Sequence, residues 1–115
     1  MTVSIYHNPR CSKSRATLEL LRTRNIEPQI IEYLQTPPDK ATLKNILQEL
    51  NLAPRDIMRK KEACYKELNL ADTDLDEDAL LDAIVDNPIL LERPIVVAGK
   101  RVAIGRPPEN VLAIL

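Results

Sequence analysis

Aromatic residues are almost missing from this chain of 115, which has three tyrosines and neither phenylalanine nor tryptophan. The core must therefore be built from Leu, Ile, Val and Ala, and there is no aromatic platform on which nucleic-acid bases could stack. Net charge is equally scant, a formal -1 from 16 basic and 17 acidic residues. That balance gives no electrostatic case for a nucleic-acid or membrane partner, so any anion binding has to be local. Cysteine is limited to Cys11 and Cys64 and histidine to His7. Two distant cysteines and one histidine make neither a disulfide scaffold nor a zinc site, and metal catalysis is not expected. Long hydrophobic runs are absent too: nothing approaches the roughly 20 apolar residues that span a bilayer. Met1-Thr2-Val3-Ser4 passes straight into a strand pattern, without the basic and apolar regions of a signal peptide. The expected setting is the cytoplasm, where thiols stay reduced. With no internal repeat, low-complexity segment or flexible linker, the length fits one domain, residues 1–115.

What is there centres on Tyr6-His7-Asn8-Pro9-Arg10-Cys11-Ser12-Lys13-Ser14-Arg15. A β-branched run from Thr2 to Tyr6 stops at Asn8-Pro9, and an apolar-periodic helix follows Cys11. The thiol therefore belongs at a strand-to-helix turn. The N–H groups and macrodipole of a helix N-terminus favour negative charge, and Arg10, Lys13 and Arg15 add positive charge around the sulfur. Such surroundings bring a cysteine pKa from about 8.5 to about 3.5–7.5, which makes a thiolate the expected resident at neutral pH. The alternative is a small buried hydrophobe, as many single cysteines are.

Ser12 or Ser14 can cap this first helix, which runs to about Arg24 with Ala16, Leu18, Leu20 and Leu21 on its apolar face. Pro28 to Tyr33 reads as a second strand, giving a β-α-β unit with a right-handed parallel crossover. Cys11 then lies at the carboxyl end of the first strand, the edge where open α/β sheets bind ligands. After Thr36-Pro37-Pro38, Asp39 caps a helix in which Leu43, Ile46, Leu47 and Leu50 recur at helical spacing. Pro54 opens a short helix through Met58, followed by the basic cluster Arg59-Lys60-Lys61. Taken alone, that cluster reads as solvated dipole partners at a helix end. Asp72 to Asp78 is an acidic run in which Asp76 caps a helix with Ala79, Leu80, Ala83 and Ile84 inward; capping and solubility account for it. Arg93 to Ile104 is a β-hairpin with Gly99 in its turn, and Pro108 to Leu115 is a final short helix with Val111, Leu112 and Ile114 facing the core.

The expected fold class is thus α/β and thioredoxin-like. A four-stranded mixed sheet is flanked by helices, with a helical insertion between the β-α-β unit and the C-terminal hairpin and helix. Pro94 stands immediately before the third strand. The thioredoxin-fold family places a cis-proline there, facing the reactive cysteine; an ordinary trans proline at a strand's first residue is the alternative.

The chain resembles the glutaredoxin-coupled arsenate reductases of the ArsC type, including their arsenate-reductase-like paralogues. The resemblance is carried by Ile5 to Arg15, Tyr33 to Pro38, Arg55 to Lys60, Pro88 to Val97 and Gly105-Arg106-Pro107, and covers essentially the full length. It implies that Cys11 is the nucleophile and that Arg59, Arg93 and Arg106 hold the oxyanion. His7 would help depress the cysteine pKa, as a cation or as a hydrogen-bond donor. Arginine offers a rigid fork of donors suited to tetrahedral oxyanions, and three of them would offset the repulsion between an anionic substrate and a thiolate.

Two departures narrow the chemistry. Arsenate reductases built like low-molecular-weight tyrosine phosphatases need Cys-x5-Arg, and here the sixth position is Thr17. A dithiol thioredoxin or Spx-type regulator has a second cysteine three residues after the first, and here that residue is Ser14. No local disulfide can form, so the resemblance implies no bound cofactor, glutathione as co-substrate and glutaredoxin as the partner. Cys64 is taken as non-catalytic, since it stands in Lys61-Glu62-Ala63-Cys64-Tyr65, where the family commonly has a proline before the tyrosine; a resolving role would require a Cα separation from Cys11 of about 4.4–6.8 Å. The expected function is reduction of arsenate, among the tetrahedral oxyanions, to arsenite. The alternative is a monothiol redox sensor or binding module that keeps the anion pocket without turnover.

Overall fold

The computed structural model describes residues 2–115. They fall into two compact units, one formed by the chain up to Thr36 together with Arg93–Leu115, the other by Pro37–Glu92. No helix among the described residues is long and apolar enough to cross a membrane.

The first unit holds the sheet. Strand β1 (Val3–His7) leads to helix α1 (Ser12–Thr23) and strand β2 (Gln29–Glu32), which pairs parallel to β1 with Ile5 opposite Ile30. After the intervening unit, β3 (Ile95–Ala98) pairs antiparallel to β1, and β4 (Arg101–Ile104) antiparallel to β3, giving the order β2-β1-β3-β4. The mixed sheet expected from the sequence is therefore present. Gly99 sits at φ 63° in the two-residue hairpin turn, a left-handed position that glycine fills without steric cost. On one face Val3, Ile5, Val96, Ala98 and Ala103 pack with Leu18 and Leu21 of α1 and with Val111 and Ile114 of a terminal helix. That last helix, Pro108–Ile114, is 3₁₀ throughout rather than α-helical.

The second unit is the helical insertion. It contains α2 (Lys40–Leu50), a 3₁₀ turn (Pro54–Ile57), α3 (Ala63–Glu67), α4 (Glu77–Asp86) and a second 3₁₀ turn (Pro88–Leu90), and an isolated bridge joins Met58 to Leu91. Asp39 and Asp76 cap α2 and α4, accepting the N–H of Thr42 and of Ala79 at 2.8 Å each. Leu43, Ile46 and Leu47 of α2 and Leu80, Leu81 and Ile84 of α4 are buried, as their spacing requires. Helix α3, which holds Cys64, has no buried residue and gives no apolar periodicity for a sequence reading to find. The acidic run before α4 is engaged in capping and, through Asp78, in exposed pairs with Lys40 and Lys44.

Helix α1 departs from expectation at its start. Neither Ser12 nor Ser14 caps it: the N-cap is Cys11, and Ser12 is the first helical residue. Its inner face is Ser14, Thr17, Leu18 and Leu21, whereas Ala16 is exposed and Leu20 only half-buried. The first half of that face is polar because it serves the turn before the helix, not the apolar core.

Candidate active site

Sheet topology gathers the expected residues of the first unit. Ile95 pairs with Tyr6 on one side and with Ile104 on the other. The end of β1, the segment entering β3 and the segment leaving β4 therefore meet at one edge. Those three segments carry Cys11, Arg93-Pro94 and Gly105-Arg106. The Arg93–Pro94 peptide is cis, and so is Arg106–Pro107, which the sequence does not announce.

The turn that delivers Cys11 is built locally. Pro9 suits the second position of a turn opened by Asn8, closed by the Cys11 N–H donating to the Asn8 carbonyl at 3.0 Å. The Asn8 side chain accepts the Arg10 N–H at 3.0 Å, and Arg15 Nη1 donates to the Pro9 carbonyl at 2.9 Å. Cys11 enters α1 with extended backbone, φ -94° and ψ 123°, as an N-cap residue does.

That places the sulfur where a capping oxygen would be. The thiol makes no cap hydrogen bond, but the Ser14 and Lys13 N–H groups of the first turn favour its charged form. Burial pushes the Cys11 thiol up. The Ser14 N–H, the Arg93 guanidinium within hydrogen-bond reach, the Lys13 N–H and the charge of Arg93 together outweigh burial, and the pKa lies below that of an ordinary cysteine. Cys11 is also partly exposed, so a thiolate here is open to a reactant.

Behind the sulfur, His7 and Ser14 are both buried. Ser14 Oγ lies 2.6 Å from His7 Nδ1 and accepts the Asn8 N–H at 3.0 Å. Burial lowers the His7 pKa, the Glu32 charge opposes that, and Arg22 and Arg15 lower it further. The net shift is downward, which favours a neutral ring at pH 7 and therefore a hydrogen-bonding role over a cationic one. Arg106 is exposed, and its Nη1 reaches toward the Arg93 carbonyl at 3.4 Å.

Arg59 belongs to the second unit. Its Nε stands 3.1 Å from Glu62 and its Nη1 3.4 Å from Glu92, with under a quarter of the side chain exposed. The solvated basic cluster that composition suggests is thus resolved into one half-buried, ion-paired arginine followed by two exposed lysines. Cys64 also lies in this unit, as a free and partly buried thiol. The broad groove of the same unit, lined by Lys44, Gln48, Leu52, Asp76 and Asp78 among others, holds none of the expected site residues.

Charge is also unevenly shared. The unit that holds Cys11 has nine Lys and Arg against four Asp and Glu, so a nearly neutral chain contains a basic unit. Two neighbours of the thiol escape sequence reasoning. Thr17 stands out in the sequence only as the position that lacks an arginine, and Gly105 only as a turn residue. In the structure Thr17 Oγ1 lies 3.4 Å from the Gly105 carbonyl. Among the described residues, no group of three or more His, Cys, Asp and Glu is placed to hold a metal ion.

The chain is similar along its length to known proteins. The model of the ArsC family matches residues 6–114. The protein YfgD of Escherichia coli K12, described as uncharacterized, is 59% identical over 114 residues, covering 98% of this chain and 96% of that one. An arsenate reductase of Neisseria meningitidis serogroup A is 55% identical over 114 residues, covering 98% and 97%. The structure of an arsenate reductase from Vibrio cholerae superposes with a TM-score of 0.97 at 54% identity, over 100% of this chain and 98% of that one. With a basic unit, a thiolate-stabilising turn and this likeness along its length, the chain belongs to the ArsC, or arsenate reductase, family, built on a thioredoxin-like fold.

Proposed function

We propose that the chain reduces arsenate to arsenite through a covalent Cys11 thiol–arsenate, with glutathione and glutaredoxin supplying the electrons. The observation that carries this reading is Cys11 at the N-cap of α1, its thiolate favoured by two backbone N–H groups and by Arg93. The sulfur attacks arsenic(V), an arsenate oxygen leaves as water, and a thiol–arsenate(V) forms. Glutathione displaces a second oxygen as water. The glutaredoxin thiolate then attacks the glutathione sulfur, forming a mixed disulfide and leaving the bond's electron pair on arsenic, which becomes arsenic(III). Water releases arsenite and restores Cys11. Overall, arsenate and two thiols give arsenite, one disulfide and water.

Arg93 and Arg106 are the oxyanion ligands proposed from the first unit. Arg93 also favours the thiolate, so it serves the nucleophile and the anion alike. Arg59 enters the proposal on its motif alone. His7 and Ser14 hold the turn, and Pro94 fixes the segment that follows Arg93.

The test is thiol-dependent arsenate reduction followed as NADPH consumption, with glutathione, glutaredoxin and glutathione reductase present. Turnover is expected for the wild type and is abolished in Cys11→Ser. Wild-type turnover no higher than that control would overturn the reductase reading. Rapid alkylation of Cys11 at pH 6 in the same preparation would then mark the chain as a monothiol sensor or binding module.

A further inference from the structure

Thr17 is wholly buried on the inner face of α1. Its Oγ1 donates to the Lys13 carbonyl at 2.8 Å and lies 3.4 Å from the Gly105 carbonyl. A threonine bonding back to the carbonyl four residues earlier is commonplace in helices. What is particular here is the peptide that it holds. The Lys13 carbonyl and the Ser14 N–H are the two ends of one peptide group, and that N–H is one of the free donors in the first turn that follows the Cys11 N-cap. Thr17 Oγ1 thus bonds one end of a peptide whose other end presents its N–H at the helix N-terminus that Cys11 caps.

Gly105 presses on the same hydroxyl. A Cβ at Gly105 would fall 2.5 Å from Thr17 Oγ1, 3.0 Å from Thr17 Cγ2 and 2.8 Å from Pro94 Cγ. The Gly105 N–H donates to the Pro94 carbonyl at 2.9 Å. Thr17, Gly105 and Pro94 therefore tie together the three backbone segments that carry Cys11, Arg106 and Arg93.

We propose that Thr17 is a positioning residue for the Cys11 chemistry: its hydroxyl fixes and polarises the Lys13–Ser14 peptide against the sulfur and seats that turn on the Gly105-Arg106 segment. A hydrogen bond accepted at a carbonyl strengthens the donor at the other end of the same peptide. Arg93 faces the sulfur from a neighbouring segment, and His7 Nδ1 lies 2.6 Å from Ser14 Oγ. Neither bonds Thr17, so removing its hydroxyl leaves both in place. The proposal rests on Cys11 as the working thiolate and not on arsenate as its substrate.

The test is the pH dependence of Cys11 alkylation by iodoacetamide, with thiolate absorbance as a second readout, in Thr17→Val, Thr17→Ala and Thr17→Ser. Cys64→Ser serves as the common background, and circular dichroism identifies the folded variants. The hydroxyl-free variants should titrate about half a pH unit higher, a roughly threefold loss of thiolate at pH values below the transition. Thr17→Ser keeps the hydroxyl and should titrate as the wild type. A folded Val or Ala variant with unchanged titration would overturn the proposal, and so would a Ser variant shifted as far as Val. Because no arsenate is present, loss of the arsenate reading would leave this result standing, and the reverse holds as well.

Discussion

Ser14 and His7 form the buried polar contact on which the reactive turn rests, Oγ to Nδ1 at 2.6 Å. The same oxygen accepts the N–H of Asn8, so one hydroxyl joins the end of β1, the turn and the first turn of α1. Ser14→Ala leaves both of these groups without that partner in a place with little access to water. The expected loss is about 1–3 kcal/mol of folding stability, measured by urea denaturation. A loss within the error of the wild-type value would show that the contact does not hold the turn.

His7 gives a signed pH prediction. Its pKa in the fold is below the ordinary 6.5, chiefly through burial, with Arg22 and Arg15 adding to it against Glu32. The unfolded chain therefore takes up a proton at this site before the folded chain does. The contribution is complete above about pH 6.5 and is lost as pH falls through the folded value. Urea midpoints from pH 8 to pH 5 should fall more steeply for the wild type than for His7→Gln, with the two curves parallel above about pH 7. The exposed carboxylates that are shifted, Glu27, Asp39 and Asp78, are shifted downward and titrate below this window. Curves that stay parallel down to pH 5 would remove His7 as the cause.

Arg93 and Arg106 should separate by what they touch. Arg93 lowers the Cys11 pKa through a hydrogen bond and its charge, whereas Arg106 Nη1 reaches toward the Arg93 carbonyl. Arg93→Ala should raise the Cys11 pKa by about one pH unit and also weaken sulfate or arsenate binding. Arg106→Ala should weaken oxyanion binding and move the thiol titration less than Arg93→Ala does. Oxyanion affinity unchanged in both variants would argue against a pocket built on these arginines.

Much of this was legible in the sequence, and the reasons are physical. Asp39 and Asp76 were readable as caps because a short acceptor before an apolar period has one common use. The hairpin was readable from a glycine between two β-branched runs, and Cys11 from its place between a strand pattern and a helical one. The start of α1 differs from the sequence expectation because serine is the usual cap, and nothing in residue type says that a cysteine stands at the N-cap. Thr17 and Gly105 stayed silent for a different reason. Their meaning lies in contact between segments 88 positions apart. Helix α3 escaped because a five-residue helix that buries nothing leaves no period. The 3₁₀ form of the last helix escaped because apolar spacing over seven residues fits either helix.

Arg59 carries a prediction of its own. Glu62 and Glu92 stand within salt-bridge distance, and two carboxylates on one guanidinium offset the charge an oxyanion would meet. If Arg59 is an oxyanion ligand, Glu62→Gln should tighten sulfate or arsenate binding by a few-fold, since a half-buried charge pair is worth about 1 kcal/mol. Arg59→Ala should weaken binding and cancel the effect of Glu62→Gln. Equal effects of Glu62→Gln with and without Arg59, read by calorimetry, would remove Arg59 from the anion site.

Gly105 provides the sharpest packing test. No side chain fits there, because a Cβ would meet Thr17 Oγ1 at 2.5 Å and Pro94 Cγ at 2.8 Å, distances that require something to move. Gly105→Ala should therefore cost about 1–3 kcal/mol as an overpacked site. Thr17→Ala removes two of the three atoms in the way, Oγ1 and Cγ2, and leaves only Pro94 Cγ. If direct crowding is the cause, the double variant should be more stable than the sum of the two single losses, with a coupling of about 0.5–3 kcal/mol. Additive losses would mean that Gly105 is needed for its backbone and not for the space that it leaves. A favourable coupling would place Thr17 and Gly105 in one packed unit, with the segments bearing Cys11, Arg93 and Arg106 held in register by a contact that contains none of them.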